Sequence, residues 1–145
     1  MNSVESYFSL ALWLAGITHF CILGASFQVP YRLHWKEDLA KLIPFNRKLM
    51  WIYGMFTAGT ILGFGTLTLF LHNELLRGDR AALALATFAG VFWLSRLLVD
   101  VFYFDHADWP KGAAFVAGHA LLMATFVALS FTYLGLVIWH GCFRP

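Results

Sequence analysis

The chain has 145 residues, of which 60% are hydrophobic and 12% are charged, and its formal net charge is +2. Soluble proteins carry about 25% charged residues, so this composition excludes an ordinary soluble domain. The small net charge, without any basic run, also gives no reason to expect a nucleic acid as a partner.

Four apolar stretches are long enough to cross a bilayer, because a helix needs about 20 residues to span about 30 Å of hydrocarbon. Little of the chain lies outside them, which indicates one transmembrane domain, residues 1–145, without a separate soluble domain. The first stretch is not preceded by the Lys or Arg typical of a signal peptide, so we interpret it as a retained helix. The predicted spans cover approximately residues 7–27, 49–72, 81–104 and 113–139.

The longest polar segment connects the first two spans and is bounded by Pro30 and Pro44. Apolar residues recur there at helical spacing, which predicts a short helix lying on the membrane surface. These residues are Trp35, Leu39, Leu42 and Ile43. The other two connections are short, so the last three spans should be antiparallel neighbours. The predicted fold class is an all-α integral membrane protein, a four-helix up-down-up-down bundle with a short interfacial helix in the first loop.

Lys and Arg are distributed unequally between the two ends of the predicted bundle. Six lie on the side of the first and third loops: Arg32, Lys36, Lys41, Arg47, Lys48 and Lys111. Three lie on the opposite side: Arg77, Arg80 and Arg144. The positive-inside rule therefore predicts cytoplasmic first and third loops and places both termini on the non-cytoplasmic side. We expect an integral protein of a bacterial inner membrane.

The second span contains a G-x-x-x-G pattern formed by Gly59 and Gly63. Small residues at this spacing let two helix backbones approach closely in a membrane. We expect the pattern to pack against another helix of the same chain, and a homodimer interface is the alternative.

Charged and titratable side chains lie within the predicted spans. Arg96 and Asp100 are four residues apart in the third span, where an ionised side chain costs roughly 2.5–3.5 kcal/mol. The simplest interpretation is a structural ion pair that faces the bundle interior. At 1.5 Å per residue, His19 and His119 should lie roughly 13 and 10 Å from the cytoplasmic face. The two histidines are therefore predicted to be nearly level, close to Arg96 and Asp100.

A pair of level histidines on separate helices is an arrangement that can bind haem b from both faces of the iron. Arg96 could then bind a haem propionate, because a guanidinium group binds a carboxylate with two hydrogen bonds. A metal site with His19, His119 and Asp100 as ligands is a further possibility.

A quinone pocket is the other chemical interpretation, because such pockets combine apolar walls with a few polar groups. One stripe of the fourth span carries His119, Phe126, Ser130 and Tyr133, and His19, Trp93 and Asp100 could close it. The candidate cofactor-binding residues are therefore His19, His119, Arg96, Asp100 and Tyr133, and the candidate metal ligands are His19 and His119. Each also has a structural interpretation, as a group that hydrogen-bonds across the bundle. His72 and His140 are expected only at the membrane interface.

Three functions are compatible with these residues. The first is a redox-linked membrane subunit that binds haem b or a quinone and takes part in electron transport. The second is an accessory subunit of a larger membrane complex without chemistry of its own, and the third is a binding protein for an apolar small molecule or lipid. Expected partners are the lipid bilayer and other membrane subunits or a second copy of the chain. The chain lacks the H-E-x-x-H, G-x-S-x-G and phosphate-loop motifs, so independent catalysis is not expected.

Overall fold

The computed structural model describes residues 3–104 and 112–143, and helices joined by short turns account for this part of the chain. Four of the helices are long and apolar enough to cross a membrane, which indicates an integral membrane protein. In chain order the helices are α1 (Ser3–Ser26), α2 (Val29–Arg32), α3 (Trp35–Ala40), α4 (Pro44–Phe70), α5 (His72–Arg77), α6 (Arg80–Phe102) and α7 (Ala113–Phe143).

The four predicted spans are confirmed as helices, with ends that differ by a few residues. The largest difference at a helix start is in α4, which begins at Pro44 rather than near residue 49. Proline is well suited to the first position of a helix, because its fixed φ is helical and its missing N–H would have no partner there. The polar turn that follows Pro44 therefore extends the helix beyond its apolar stretch.

The predicted helix between the two prolines of the first loop is present as α3, and the shorter α2 precedes it. His34 separates them with a left-handed backbone (φ 49°). Trp35 packs edge-to-face on Trp51 of α4, with ring centroids 5.9 Å apart, and Leu39 is buried. Helix α3 is therefore held against the first part of α4.

The second connection, expected to be a simple loop, contains the short helix α5. Leu75, in its middle, is fully buried, which explains why these residues fold onto the bundle. The helix ends at Gly78, whose φ of 81° is accessible to glycine without strain. The amides of Gly78 and Asp79 both donate to the carbonyl oxygen of Glu74, at 3.0 and 3.1 Å. These hydrogen bonds give that carbonyl, in the last turn of α5, its partners.

The main helix contacts are those of α1 with α4 and of α6 with α7, and α1 also packs on α7. A close backbone approach joins Gly16 of α1 to Gly65 of α4. A Cβ atom at Gly65 would lie 2.9 Å from His19 Cβ and 3.2 Å from the carbonyl oxygen of Gly16.

The predicted packing of Gly59 and Gly63 within the chain is not found among the described residues. A Cβ atom at either position would meet no neighbouring atom within 4 Å. Gly65, which does pack, lies two residues beyond Gly63 and therefore about 200° around the helix. The close helix contact uses the opposite side of α4 from the G-x-x-x-G pattern.

Burial divides the bundle into two halves. The closed half contains nearly all of the buried side chains, including those of Leu12, Phe64, Trp93 and Tyr133. The open half consists of the first part of α4, the last part of α6 and the first part of α7: Pro44–Thr60, Leu94–Phe102 and Ala113–Thr125. Within these three described segments, Asp100 is the single buried residue.

Substituting Gly65 with alanine should destabilise the protein, because the new methyl group would press on the backbone of α1. Overpacking of a well-packed interior costs about 1–3 kcal/mol. Gly63→Ala is the matched control, since its methyl group meets no neighbour within 4 Å. Thermal unfolding in mild detergent should show a lower midpoint for Gly65→Ala alone, and equal midpoints for the two variants would contradict the described α1–α4 contact.

Candidate functional site

The most buried polar group of the closed half is the imidazole of His19, which has no exposed surface. Its Nε2 accepts a hydrogen bond from the indole Nε1–H of Trp93 at 3.0 Å. Its Nδ1 lies 2.6 Å from the carbonyl oxygen of Ala15. An indole N–H can only donate, so Nε2 is the acceptor and Nδ1 carries the proton that is donated to Ala15. Both ring nitrogens of a neutral imidazole are thus satisfied inside the bundle.

A second hydrogen bond lies beside the first and joins α4 to α7. The hydroxyl of Thr68 donates to the carbonyl oxygen of Phe64 at 2.7 Å. The Tyr133 hydroxyl lies 2.6 Å from the same Thr68 oxygen and is therefore the donor to it. Since the rings of His19 and Tyr133 are in edge contact, with centroids 6.0 Å apart, the four side chains of His19, Thr68, Trp93 and Tyr133 form one group. We call it the polar junction, and it takes one residue from each long helix.

Aromatic rings surround the polar junction and close it toward the open half. Trp93 stacks on Phe126 with ring centroids 5.0 Å apart, and Phe92 packs edge-to-face on Trp93 at 5.2 Å. Phe64 contacts both His19 and Phe92. No gap of the width of a porphyrin separates the helices at this level, because the ring contacts are at van der Waals distance.

Haem binding through His19 and His119 does not fit this geometry. Ligation of an iron would require His19 Nε2 to lose the hydrogen bond from Trp93, or Nδ1 to lose its bond to Ala15. Either change would leave a buried polar group without a partner, at a cost of about 1–3 kcal/mol. Tyr133, the other closed-half candidate, is likewise committed to Thr68.

The open half contains a different pair, formed by Asp100 of α6 and His119 of α7. His119 Nε2 lies 3.4 Å from Asp100 Oδ1. The side chain of Asp100 is 10% exposed and that of His119 is 22% exposed. The carboxylate is therefore almost fully buried, while the imidazole retains access from the open half.

The two predicted histidines lie at different levels of the bundle. His19 contacts Trp93, which stacks on Phe126, whereas His119 contacts Asp100. The two contacts are seven residues apart on both α6 and α7, which is about 10 Å along each helix. His19 and His119 therefore cannot bind the same metal or haem iron in this arrangement.

The sequence predicts nearly equal depths for His19 and His119 because each depth is counted from the end of its own span. His19 is seven residues from the end of α1 at Ser26, and His119 is seven residues before Phe126. The end of α1 is thus approximately level with His119, and α7 extends beyond it toward Ala113. The two spans do not end in one plane, so equal distances from their ends are not equal depths.

Arg96 does not form the predicted ion pair with Asp100. Arg96 is exposed, and among the described residues the ion partner within 4 Å of Asp100 is His119. Arg96 lies one turn from Asp100 on the same helix, about 40° around the axis, and so belongs to the wall of the open half. The structure brings Asp100 and His119 together, places Arg96 beside them and leaves His19 and Tyr133 in the closed half.

The metal interpretation lacks a third ligand in the part of the chain that the structure describes. No group of three or more His, Cys, Asp or Glu side chains converges there. The predicted quinone stripe of α7 is also divided, because the Ser130 hydroxyl donates to its own helix at Phe126 and lies in the closed half. Only His119 of this stripe reaches the open half.

Two histidines that the sequence predicts at the membrane interface are buried within the protein. His72 is 8% exposed and His140 is 6% exposed. Their sequence positions at span ends gave no sign of burial, because α5 was not expected to fold over them. His72 accepts or donates a hydrogen bond with the Ser9 hydroxyl at 3.1 Å.

Comparison of the chain with protein families, with curated proteins and with solved structures finds no match. The arguments about function therefore depend on the geometry of these residues alone.

Replacing Trp93 with phenylalanine should destabilise the closed half, because His19 Nε2 would lose its only donor among the described residues. The expected loss is about 1–3 kcal/mol, the cost of a buried unsatisfied acceptor. Trp51→Phe is the control, since Trp51 is 44% exposed. Thermal unfolding in detergent measures both, and adding His19→Leu to Trp93→Phe should recover part of the loss. A Trp93→Phe protein as stable as Trp51→Phe would show that the hydrogen bond does not support the bundle.

Proposed function

We propose that the chain is a small redox-linked membrane protein that binds a quinone in its open half, with the head group at Asp100 and His119. The observation that supports this proposal is the burial of one carboxylate in segments of α4, α6 and α7, residues 44–60, 94–102 and 113–125, that contain no other buried residue. Its partner imidazole remains accessible from that half.

The contrast with His19 argues against a purely structural role for the Asp100–His119 pair. His19 is enclosed by rings from three helices and both of its nitrogens are satisfied. Asp100 and His119 instead belong to helix segments in which the other side chains, such as Leu97 and Leu122, are at most partly buried. An ionisable group inside a membrane is costly and is therefore kept mainly at functional sites.

The chemistry of the pair suits a quinone head group. An imidazole N–H can donate to a quinone carbonyl oxygen, and a neighbouring carboxylate can fix the imidazole and exchange a proton with it. A bound quinone supplies two-electron redox chemistry that the side chains themselves lack. Arg96, one turn away in the same wall, adds a guanidinium donor to the open half.

The membrane arrangement that we propose is an up-down-up-down bundle. Residue numbers rise along α1 as they fall along α4, from the Gly16–Leu69 contact to the His19–Phe64 contact. The same holds for α6 and α7, from Trp93–Phe126 to Asp100–His119. These contacts support the proposed order of the four spans.

The open half is proposed to face the cytoplasm of a bacterial cell, with both termini on the other side of the inner membrane. The excess of Lys and Arg in the first and third loops supports this orientation. Helix α3 would then lie at the cytoplasmic membrane surface. Asp38 of α3 and Lys41, which follows its last residue, are exposed and paired at 2.8 Å, and both would face the aqueous phase.

Binding of decylubiquinone, a short-chain quinone, tests the proposal directly. The purified protein in mild detergent should show saturable quenching of tryptophan fluorescence, because Trp93 lies at the boundary between the two halves. His119→Gln and Asp100→Asn should each weaken binding by about ten- to hundredfold, since a hydrogen bond to a charged group is worth about 1.5–3 kcal/mol.

Asp79→Asn is the matched control for Asp100→Asn, because Asp79 is exposed at the opposite end of α6. It should bind decylubiquinone as the unsubstituted protein does. Absence of saturable quenching, or equal affinity in all four proteins, would overturn the quinone site at Asp100 and His119.

A second candidate function is that of an accessory subunit whose open half is completed by a helix of another membrane protein. The observation that favours it is the absence of buried residues from Pro44–Thr60, a segment that includes Gly59, where an added Cβ atom would meet no neighbour within 4 Å. Purification in mild detergent followed by native mass spectrometry distinguishes the two. The second proposal would replace the first if two results were obtained together. A stoichiometric partner would have to co-purify with the unsubstituted protein and not with the Gly59→Leu variant, and the isolated chain would have to show no quinone binding.

A further inference from the structure

Helix α5 is attached to the bundle by a buried histidine at each of its ends. His72 is its first residue and contacts α1. The ring of His140, on α7, lies against Gly78, which follows the last residue of α5. Between them Leu75 is fully buried. Helix α5 thus covers the end of the closed half that is remote from Asp100 and His119.

His72 is buried, and only one of its two ring nitrogens has a hydrogen-bond partner in the described part of the chain. Its Nε2 is 3.1 Å from the Ser9 hydroxyl, and its ring lies on Trp13 with centroids 5.0 Å apart. Its Nδ1 is buried and has no hydrogen-bond partner in the part of the chain that the structure describes. A protonated ring would have to donate from both nitrogens, and only Nε2 has an acceptor in reach.

The ion pairs of α5 and of the turn that follows it join Arg77 to Glu74 and Asp79 and do not include His72. Arg77 pairs with Glu74 at 3.1 Å and lies 3.7 Å from Asp79, and all three side chains are at least partly exposed. The last turn of α4 has no charged residue. At this end of the elements packed against α5, the other charged or titratable groups are Glu5 and Tyr7 of α1, Arg80 of α6, and His140 and Cys142 of α7.

Burial lowers the pKa of His72 below its ordinary value of 6.5. A histidine whose pKa is lower in the docked state than in the released state binds a proton mainly after release. The contribution of His72 to the docking of α5 is therefore complete above pH 6.5. It is lost as the pH falls from 6.5 through the lowered pKa of His72.

We propose that α5 is a pH-sensitive strap, in which protonation of His72 detaches the start of α5 from Ser9 and Trp13. Gly78, held against His140, stays in place as the hinge. Release exposes Leu75 and admits water to the end of the closed half. Thr68 of the polar junction lies four residues before His72, about 6 Å along the chain if the helical rise continues. The strap therefore regulates access of water to the polar junction and is independent of the quinone proposal.

Hydrogen exchange of the α5 amides between pH 7.5 and 5 tests the strap. One proton taken up on release changes the opening equilibrium tenfold per pH unit. The protection factor of the Leu75 amide, which donates to the carbonyl oxygen of Leu71 at 2.9 Å, should therefore fall by up to tenfold per pH unit between pH 6.5 and the lowered pKa of His72. Amides in the middle of α7 are the internal reference and should keep their protection.

His72→Gln should make the α5 protection factors independent of pH, because glutamine can keep the Ser9 hydrogen bond without titrating. His119→Gln, a histidine substitution in the other half, should leave the pH dependence unchanged. Protection that is independent of pH in the unsubstituted protein would overturn the proposal, and so would an unchanged slope in His72→Gln.

Ser9→Ala keeps the imidazole and provides a second variant should His72→Gln not fold. It should lower the protection of α5 at every pH, because the hydrogen bond to Nε2 is lost, and retain the tenfold slope. Loss of that slope in Ser9→Ala would mean that His72 is not the titrating group.

Discussion

The hydrogen bond from Trp93 to His19 is the interaction on which the arrangement of the four long helices depends. Hydrocarbon offers no water to satisfy buried polar groups, so each must find its partner inside the protein. His19 does so through Ala15 and Trp93, and the adjacent Thr68–Tyr133 bond does the same for α4 and α7. Because the acceptors and donors come from different helices, the rotation and the register of those helices are fixed together.

The position of this junction explains why the two halves of the bundle differ. Around it, Gly16 and Gly65 let α1 and α4 approach closely, and aromatic rings fill the space toward α6 and α7. Beyond Trp93 and Phe126, the described side chains of α6 and α7 are at most partly buried, with the exception of Asp100. Asp100 and His119 contact each other there and join α6 to α7.

The sequence was sufficient to predict the four spans, because helix length and hydropathy are local properties. It was not sufficient to predict which residues share a level, since that depends on how far each helix extends past its neighbour. The depth of His19 was counted from the end of α1 and that of His119 from the start of α7, and those ends are not in one plane. The proximity of Asp100 to His119 was within reach of the sequence, but the exposure of Arg96 depends on the open half, which no local pattern indicates.

Glycine positions show the same limit. The G-x-x-x-G pattern of Gly59 and Gly63 marked a face on which helices can approach, yet the chain packs the other side of α4 through Gly65. A short motif states what a helix surface allows, and the neighbouring helices decide which surface is used. Helix α5 was missed for a related reason, because six residues gain their helical structure from the burial of Leu75 rather than from their own propensity.

The composition of the polar junction also constrains how the protein can be made. Spans enter a membrane in chain order, and Tyr133 lies in the last of them. Until α7 is in place, Thr68 lacks its tyrosine partner and Trp93 lacks the ring of Phe126 that packs on it. A nascent chain with three spans therefore lacks the helix that encloses the polar junction from one side. The hydrogen bonds of Thr68 to Phe64 and of Trp93 to His19 do not require α7, so insertion of the last span completes the junction rather than starting it.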